Sequence, residues 1–362
     1  MPDETKSQES VLQRFFDQFR QGESFLILTH DHPDPDSISS AAALREIASF
    51  IGQASTTVAY GGIIGRTENA HMVKYLRMNL RPIDRVRIED YNHIALVDTQ
   101  PGTGNNSLPP RRIPDLVIDH HPMIAPTRKV PFADVREGYG ATASILAEYL
   151  FKLGIQIDRN LATALLYGIK SETQDLGREA YQIDTECYMK LFPLANKKLL
   201  GKIVNSRVPQ SYYSWIQDAI ENAQIVGNAL VTRLGEVDTP DIIPEVADLM
   251  LRMQGMVWAF CVGQYKDAVV LSMRTTNIRK NAGSLMKRLV RGKGSGGGHG
   301  LIAGGKIDVP GLEPWQIHDL ENELEENFLR MIHRDDRPRV PLVGEDGERR
   351  KGSKTRSLVL VR

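Results

Sequence analysis

Four groups of hard-metal ligands punctuate the chain. The run THDHPDPDS places His30, Asp34 and Asp36 within seven residues, with Pro33 and Pro35 stiffening the chain between them. Asp98 ends HIALVD, the triplet of Asp119, His120 and His121 follows LVI, and GIKSETQD supplies Glu172 and Asp175. Imidazole and carboxylate donors without thiolate suit Mn²⁺, Mg²⁺ or Fe²⁺ better than a structural zinc. Six or seven such groups are enough for two ions with a carboxylate bridging them. A pair of ions about 3.5–4 Å apart can activate water and stabilise phosphoryl oxygens. Taken singly, Asp98 reads as a turn or cap residue and the adjacent histidines as loop. Three clusters at three successive strand ends do not reduce to that.

The elements that must carry these residues are legible as short apolar runs. FLIL (Phe25–Leu28), TTVAY (Thr56–Tyr60), HIALVD (His93–Asp98) and DLVID (Asp115–Asp119) have the composition of strands buried on both faces. Helical patterns cover Ser39–Phe50, Thr142–Leu153 and Arg159–Gly168, the last ending just before Glu172 and Asp175. The expected fold is therefore α/β, with a mostly parallel sheet flanked by helices, in which ligands collect at the carboxyl ends of the strands. Gly140, Thr142 and Ser144 of GYGATAS are read as capping and packing the helix that follows.

A polar stretch with proline at Asn205–Gln210 marks a domain boundary. The expected partition is a metal-binding catalytic domain over 1–200, a linker helix over 201–222, a smaller C-terminal α/β domain over 223–335 and a flexible charged tail over 336–362. In the second half, MVWAFCVG (Met256–Gly263) and AVVLSMR (Ala268–Arg274) pair as a hairpin, and helices cover Ala282–Val290 and Trp315–His333. Between those helices lies the glycine-rich run Gly292–Gly305, and the tail offers one further strand at Leu358–Val361.

HDHPDPDS, then VDT, DHH and GGGH, in this order, resemble the DHH phosphoesterases that carry a DHHA1 domain, over roughly Ser24 to Gly305. The resemblance implies two Mn²⁺ ions in the N-terminal domain, substrate binding by the C-terminal one, and an active site in the cleft between them. It implies that His30 and Asp34 hold one ion, that Asp36 and His120 hold the other, and that Asp98 bridges them. His121 then faces the substrate phosphate and Asp119 supports the histidine pair from behind. One position departs from the pattern: the fourth motif usually reads Asp-Thr, whereas here Glu172 precedes Thr173. Glutamate keeps the carboxylate and reaches one methylene further. Asp175 is the rival ligand, one turn on if the segment is helical, but Thr173 keeps the register in favour of Glu172. GSGGGHGLIAGG resembles the DHHA1 signature. Gly297 and Gly298 would let backbone N–H groups approach an anion, and His299 would donate to phosphate. Arg274 would clamp phosphate with its planar fork, with Asn281 in RTTNIRKN as a further contact or merely a helix start.

Size and motif order resemble the oligoribonuclease-type (nanoRNase) branch. The implied function is hydrolysis of short oligonucleotides, linear dinucleotides or 3′,5′-bisphosphate nucleotides. The alternatives are a RecJ-type single-strand exonuclease, an inorganic pyrophosphatase and an inactive nucleotide-binding regulator. The implied partners are short RNA or DNA oligonucleotides or dinucleotides; a homodimer is allowed and a membrane is not involved. Composition agrees. The chain has 362 residues, 41% hydrophobic, with Lys plus Arg equal to Asp plus Glu at 45 each, which excludes a strongly basic duplex-coating protein. No apolar run approaches the roughly 20 residues of a membrane helix. The polar, acidic start MPDETKSQES is neither a signal nor a transit peptide, and Cys187 and Cys261 form no CxxC pair, so a reducing cytoplasm is expected.

Overall fold

Strands rich in Leu, Ile and Val with almost no polar positions can be satisfied only when both faces are covered. The computed structural model, which describes residues 12–344 apart from 19, 21, 52–54 and 278, resolves this demand with a six-stranded parallel sheet in the order β3-β2-β1-β4-β5-β6. The strands are β1 (Ser24–Leu28), β2 (Ser55–Tyr60), β3 (Arg81–Pro82), β4 (His93–Val97), β5 (Leu116–Asp119) and β6 (Phe132–Val135). Alternation along β1 splits the core: Phe25 and Ile27 enter a large cluster under the helices, whereas Leu26 and Leu28 join Ile94, Leu96 and Val117 on the opposite face. The large cluster is roofed by α1 (Pro35–Ile51), α3 (Thr142–Lys152) and α4 (Arg159–Glu172), with α2 (Thr67–Tyr75), α5 (Gln182–Leu191) and α6 (Lys197–Val204) completing the unit. Small residues bring α1 and α4 close: a Cβ on Gly168 would strike Ser39 Oγ and come within 3.1 Å of the Pro35 carbonyl oxygen.

Two corrections to the sequence reading bear on the ligands. The helix expected from Ser39 begins at Pro35, whose fixed φ suits a first helical turn, so Asp36 lies inside that turn rather than in a stiffened loop. The helix expected to end at Gly168 runs to Glu172. Asp175 is not one helical turn further on, because Gln174, Asp175 and Leu176 all leave the helix with positive φ.

The described residues divide into two compact units between Arg207 and Val208. The segment 201–222 is therefore not a single linker helix: it holds the end of α6, a break, and α7 (Gln210–Glu221). The second unit builds a seven-stranded sheet in the order β11-β12-β10-β9-β8-β7-β13. Its strands are β7 (Gln224–Val226), β8 (Ala229–Glu236), β9 (Trp258–Tyr265), β10 (Ala268–Thr275), β11 (Ser295–His299), β12 (Ile302–Asp308) and β13 (Arg339–Pro341). β9 and β10 form the expected hairpin, and all neighbours are antiparallel except β8 and β9. Helices α8 (Ile242–Leu251), α9 (Ala282–Leu289) and α10 (Pro314–Met331) belong to this unit. The tail is ordered at β13, which pairs with β7, and the strand expected at Leu358–Val361 lies outside the described residues.

The glycine-rich run is mostly sheet, for packing reasons. A Cβ on Gly296 would meet Val290 and Met286, and one on Gly283 of α9 would overlap the Gly298 carbonyl. Alanine ordinarily stabilises a helix interior by about 1 kcal/mol relative to glycine. Gly283→Ala should do the reverse, lowering stability by about 1–3 kcal/mol through overpacking against backbone. Thermal unfolding checks the sign, and a raised melting temperature would refute this contact.

Candidate metal centre

β1, β4 and β5 lie side by side in the sheet, and the chain leaves each of them at a ligand. His30 follows β1 by two residues, Asp98 follows β4 directly, and Asp119 ends β5 immediately before His120 and His121. Asp98 has φ 60°, the left-handed region that aspartate tolerates better than most side chains. That turn points the Asp98 carboxylate back across the strand ends. Oδ2 lies 3.6 Å from His30 Nε2, and Oδ1 lies 3.7 Å from His120 Nε2. Asp34 Oδ1 is 3.7 Å from His30 Nε2, and Asp36 Oδ2 is 4.0 Å from His120 Nε2. These separations are too long for hydrogen bonds and suit donor atoms around a common ion.

Two donor groups result, His30 with Asp34 and Asp98, and Asp98 with His120 and His121. Asp98 belongs to both. The ring tautomers agree with ligation. His30 Nδ1 sits 2.9 Å from the Asp31 carbonyl oxygen and His120 Nδ1 sits 3.2 Å from that of Tyr139. A carbonyl only accepts, so each Nδ1 donates, and Nε2 is the ring nitrogen that faces the carboxylates and that an ion would take in place of a proton. His121 differs: its Nδ1 donates to Asp119 Oδ1 at 2.8 Å. That same Oδ1 accepts from the His120 N–H at 2.9 Å, while Oδ2 accepts from Gln100 Nε2 at 2.7 Å. Asp119 thus ties the two histidines together from behind.

The sequence reading missed two contributors. Thr142, read as a capping residue, sits at the start of α3, where its N–H and that of Ala143 donate to the two oxygens of Asp36 at 2.8 and 2.7 Å. Its hydroxyl donates to Asp98 Oδ1 at 2.8 Å. The positive end of α3 therefore holds two of the carboxylates at once. Gln100 fixes Asp119 while its own Oε1 accepts from Thr127 Oγ1 and the Ile124 N–H. A threonine at a helix start and a glutamine after a strand carry no signal that separates them from ordinary caps.

Asp34, Asp36, Asp98, Asp119 and Glu172 are crowded against only three imidazoles, and the electrostatics follow. Burial pushes Asp36 and Asp98 well above the usual carboxylate range, and neighbouring carboxylates push them further. Burial and then Asp34 raise Glu172 to about 7. Burial would lower His30, but Asp34 beside it carries the ring up to about 9, and His30 in turn draws Asp34 down to about 2 despite burial. This excess of buried negative charge, held on oxygen and imidazole donors, fits divalent cations.

Glu172 ends α4 outside both donor groups, near enough for its charge to act on His30, Asp36, Asp98 and His121. Asp175 is exposed and pairs with Lys170 Nζ at 2.7 Å. In the second unit, Arg274 is buried, and its guanidinium is occupied within the protein. Nε donates to Asp248 at 2.5 Å, and Nη1 donates to Ser272 Oγ and the Met273 carbonyl. The side-chain oxygen of Asn281 accepts from the Ser284 N–H, capping α9. Gly298 is packed against Ile302 and Ala303, whereas a Cβ on Gly297 would make an ordinary contact with Lys287 Cε at 3.6 Å. His299 ends β11, and its side chain lies outside the described residues.

An uncharacterized protein of Methanocaldococcus jannaschii is 37% identical over 287 residues, which cover 78% of this chain but only 58% of that protein. A probable manganese-dependent inorganic pyrophosphatase of Bacillus cytotoxicus is 27% identical over 245 residues, covering 63% of this chain and 75% of that protein. The crystal structure of an exopolyphosphatase-related protein from Bacteroides fragilis has the same fold, with a TM-score of 0.67 at 13% identity over 90% of this chain and 98% of that one. Residues 24–169 match the DHH family, N-terminal domain, and residues 227–329 match the DHHA1 domain, so the chain belongs to the DHH/DHHA1 phosphoesterase family.

Proposed function

We propose that this protein hydrolyses phosphodiesters in short nucleic acids, with oligoribonucleotides, linear dinucleotides or 3′,5′-bisphosphate nucleotides as the substrate class and two Mn²⁺ ions as cofactor. The observation that carries this reading is the sharing of Asp98 between two donor groups. His30 and Asp34 would hold one ion, Asp36 and His120 the other, and Asp98 would bridge them. Bound there, the ions supply positive charge for phosphoryl oxygens and lower the pKa of water. The chain's own residues set the geometry. Thr142 and the start of α3 fix the Asp36 and Asp98 oxygens. Asp119 holds Nδ1 of His121 and, against burial, raises the proton affinity of the ring, so the protonated imidazolium would donate from Nε2 to the substrate phosphate.

Cleavage of pyrophosphate is the second reading, favoured by the likeness to the Bacillus cytotoxicus protein. The DHHA1 match favours the nucleotide. A length series of labelled RNA, from the dinucleotide upward, assayed beside a bisphosphate nucleotide and pyrophosphate decides between them. With added Mn²⁺ the shortest RNAs should turn over fastest, and chelation should abolish turnover. Fast hydrolysis of pyrophosphate alone would establish the second reading, and a preference for long single strands would make the protein an exonuclease of the RecJ type. Binding without turnover would make it a regulator.

A further inference from the structure

Beyond the fourth ligand group the chain turns back on itself. Gln174, Asp175 and Leu176 have φ of 48, 61 and 65°, three successive left-handed residues of which none is glycine. Such conformations are unfavourable for L-residues, so the turn is held by its surroundings. The loop packs against Gly140, where a Cβ would meet the Glu179 carbonyl oxygen and Thr173 Cγ2. This turn returns Arg178 to Glu172. The Arg178 N–H donates to the Thr173 carbonyl at 2.9 Å, and Nη2 donates to the Glu172 carbonyl at 3.3 Å.

The rest of this guanidinium is unspent. Its Nε is buried and finds no hydrogen-bond partner among the described residues. A buried donor left unmade is costly, more so when charged, so it calls for an acceptor such as a bound anion. The contrast with Arg274 is direct, because that side chain is already satisfied by Asp248, Ser272 and Met273. Arg178 also lies within electrostatic reach of the ligand cluster, since its charge acts on the Glu172 carboxylate, which in turn feels Asp34, His121 and His30. A guanidinium beside this cluster would add positive charge for an incoming anion to that of the bound ions.

We infer that Arg178 binds a phosphoryl oxygen of the substrate at the metal centre, a contact that the N-terminal unit supplies from its own chain. A planar fork with several N–H donors matches the oxygens of a phosphate better than a point charge does. The inference rests on the phosphoesterase reading above, which places a phosphate at this centre.

The test uses the full chain loaded with Mn²⁺, inorganic phosphate as the probe, and the variants Arg178→Gln and Arg178→Lys. Calorimetric titration should show the Kd for phosphate rising about tenfold in Arg178→Gln, equivalent to about 1.4 kcal/mol. Arg178→Lys should recover part of the loss, because charge returns without the fork. The KM for a dinucleotide should rise by more than kcat falls, with Mn²⁺ stoichiometry and melting temperature unchanged. An unchanged phosphate Kd in both variants would overturn the inference. So would a weaker Kd accompanied by loss of Mn²⁺, because Arg178 would then act only through Glu172. A wild-type protein that binds phosphate through Arg178 yet hydrolyses none of the substrates would overturn the phosphoesterase reading and leave the Arg178 contact standing.

Discussion

Asp98→Asn should lower kcat on a dinucleotide on the order of 1000-fold and leave the protein folded. Loss of an outer partner of a metal ligand already costs about 10–100-fold, and a carboxylate shared by two ions should cost more. Asparagine is the informative replacement for two reasons. It tolerates the left-handed φ of 60° found at this position, so the turn after β4 survives. It also keeps an oxygen that can accept from the Thr142 hydroxyl, which now lies 2.8 Å from Asp98 Oδ1. What it removes is the negative charge and one of the two oxygens facing His30 and His120. Mn²⁺ stoichiometry by elemental analysis should fall below two, beside an unchanged circular dichroism spectrum. A folded variant with near-normal turnover would sink the two-ion assignment.

The second large effect separates Glu172 from Asp175. Glu172→Gln should weaken one Mn²⁺ and depress kcat by roughly 10–100-fold, because its carboxylate is coupled to Asp34, His30 and His121. Asp175→Asn should change kcat by less than about twofold, since its carboxylate is exposed and tied to Lys170, a pairing worth about 0–1 kcal/mol. Glu172→Asp restores the residue usual in the fourth motif but shortens its reach. With the last turn of α4 already set for glutamate, it should also cost activity. Metal content and kcat for the three variants decide the matter. A severe Asp175→Asn defect beside a silent Glu172→Gln would move the role to Asp175.

Much of the N-terminal unit was legible because its signals are local. Runs such as FLIL and LVID can be little else than buried strands, and ligands placed directly after them must meet if the strands are neighbours, as β1, β4 and β5 are. What stayed hidden depends on contacts across the chain. Nothing local distinguishes Thr142, which reaches Asp36 and Asp98, from any helix cap. β3 and β6 are too short and mixed to stand out. In the second unit the glycines drew attention as a cradle for an anion. Several are small because α9 presses on β11, which only packing partners distant in sequence reveal. Arg274 looked available because the aspartate that engages it, Asp248, lies on a different element.

β13 has a consequence for the border of the second sheet. A sheet margin with bare N–H and C=O groups is a template on which another chain can add a strand. Residues Arg339–Pro341 occupy that position beside Gln224–Val226. They replace an open, partly apolar border with a three-residue one that ends in proline and carries an arginine paired to Glu325 and Glu326. Such a border is poor at recruiting neighbours. A chain trimmed back to α10 on the view that everything beyond is idle tail would uncover β7 and gain a self-associating rim, whereas one trimmed after Val343 would keep the guard in place.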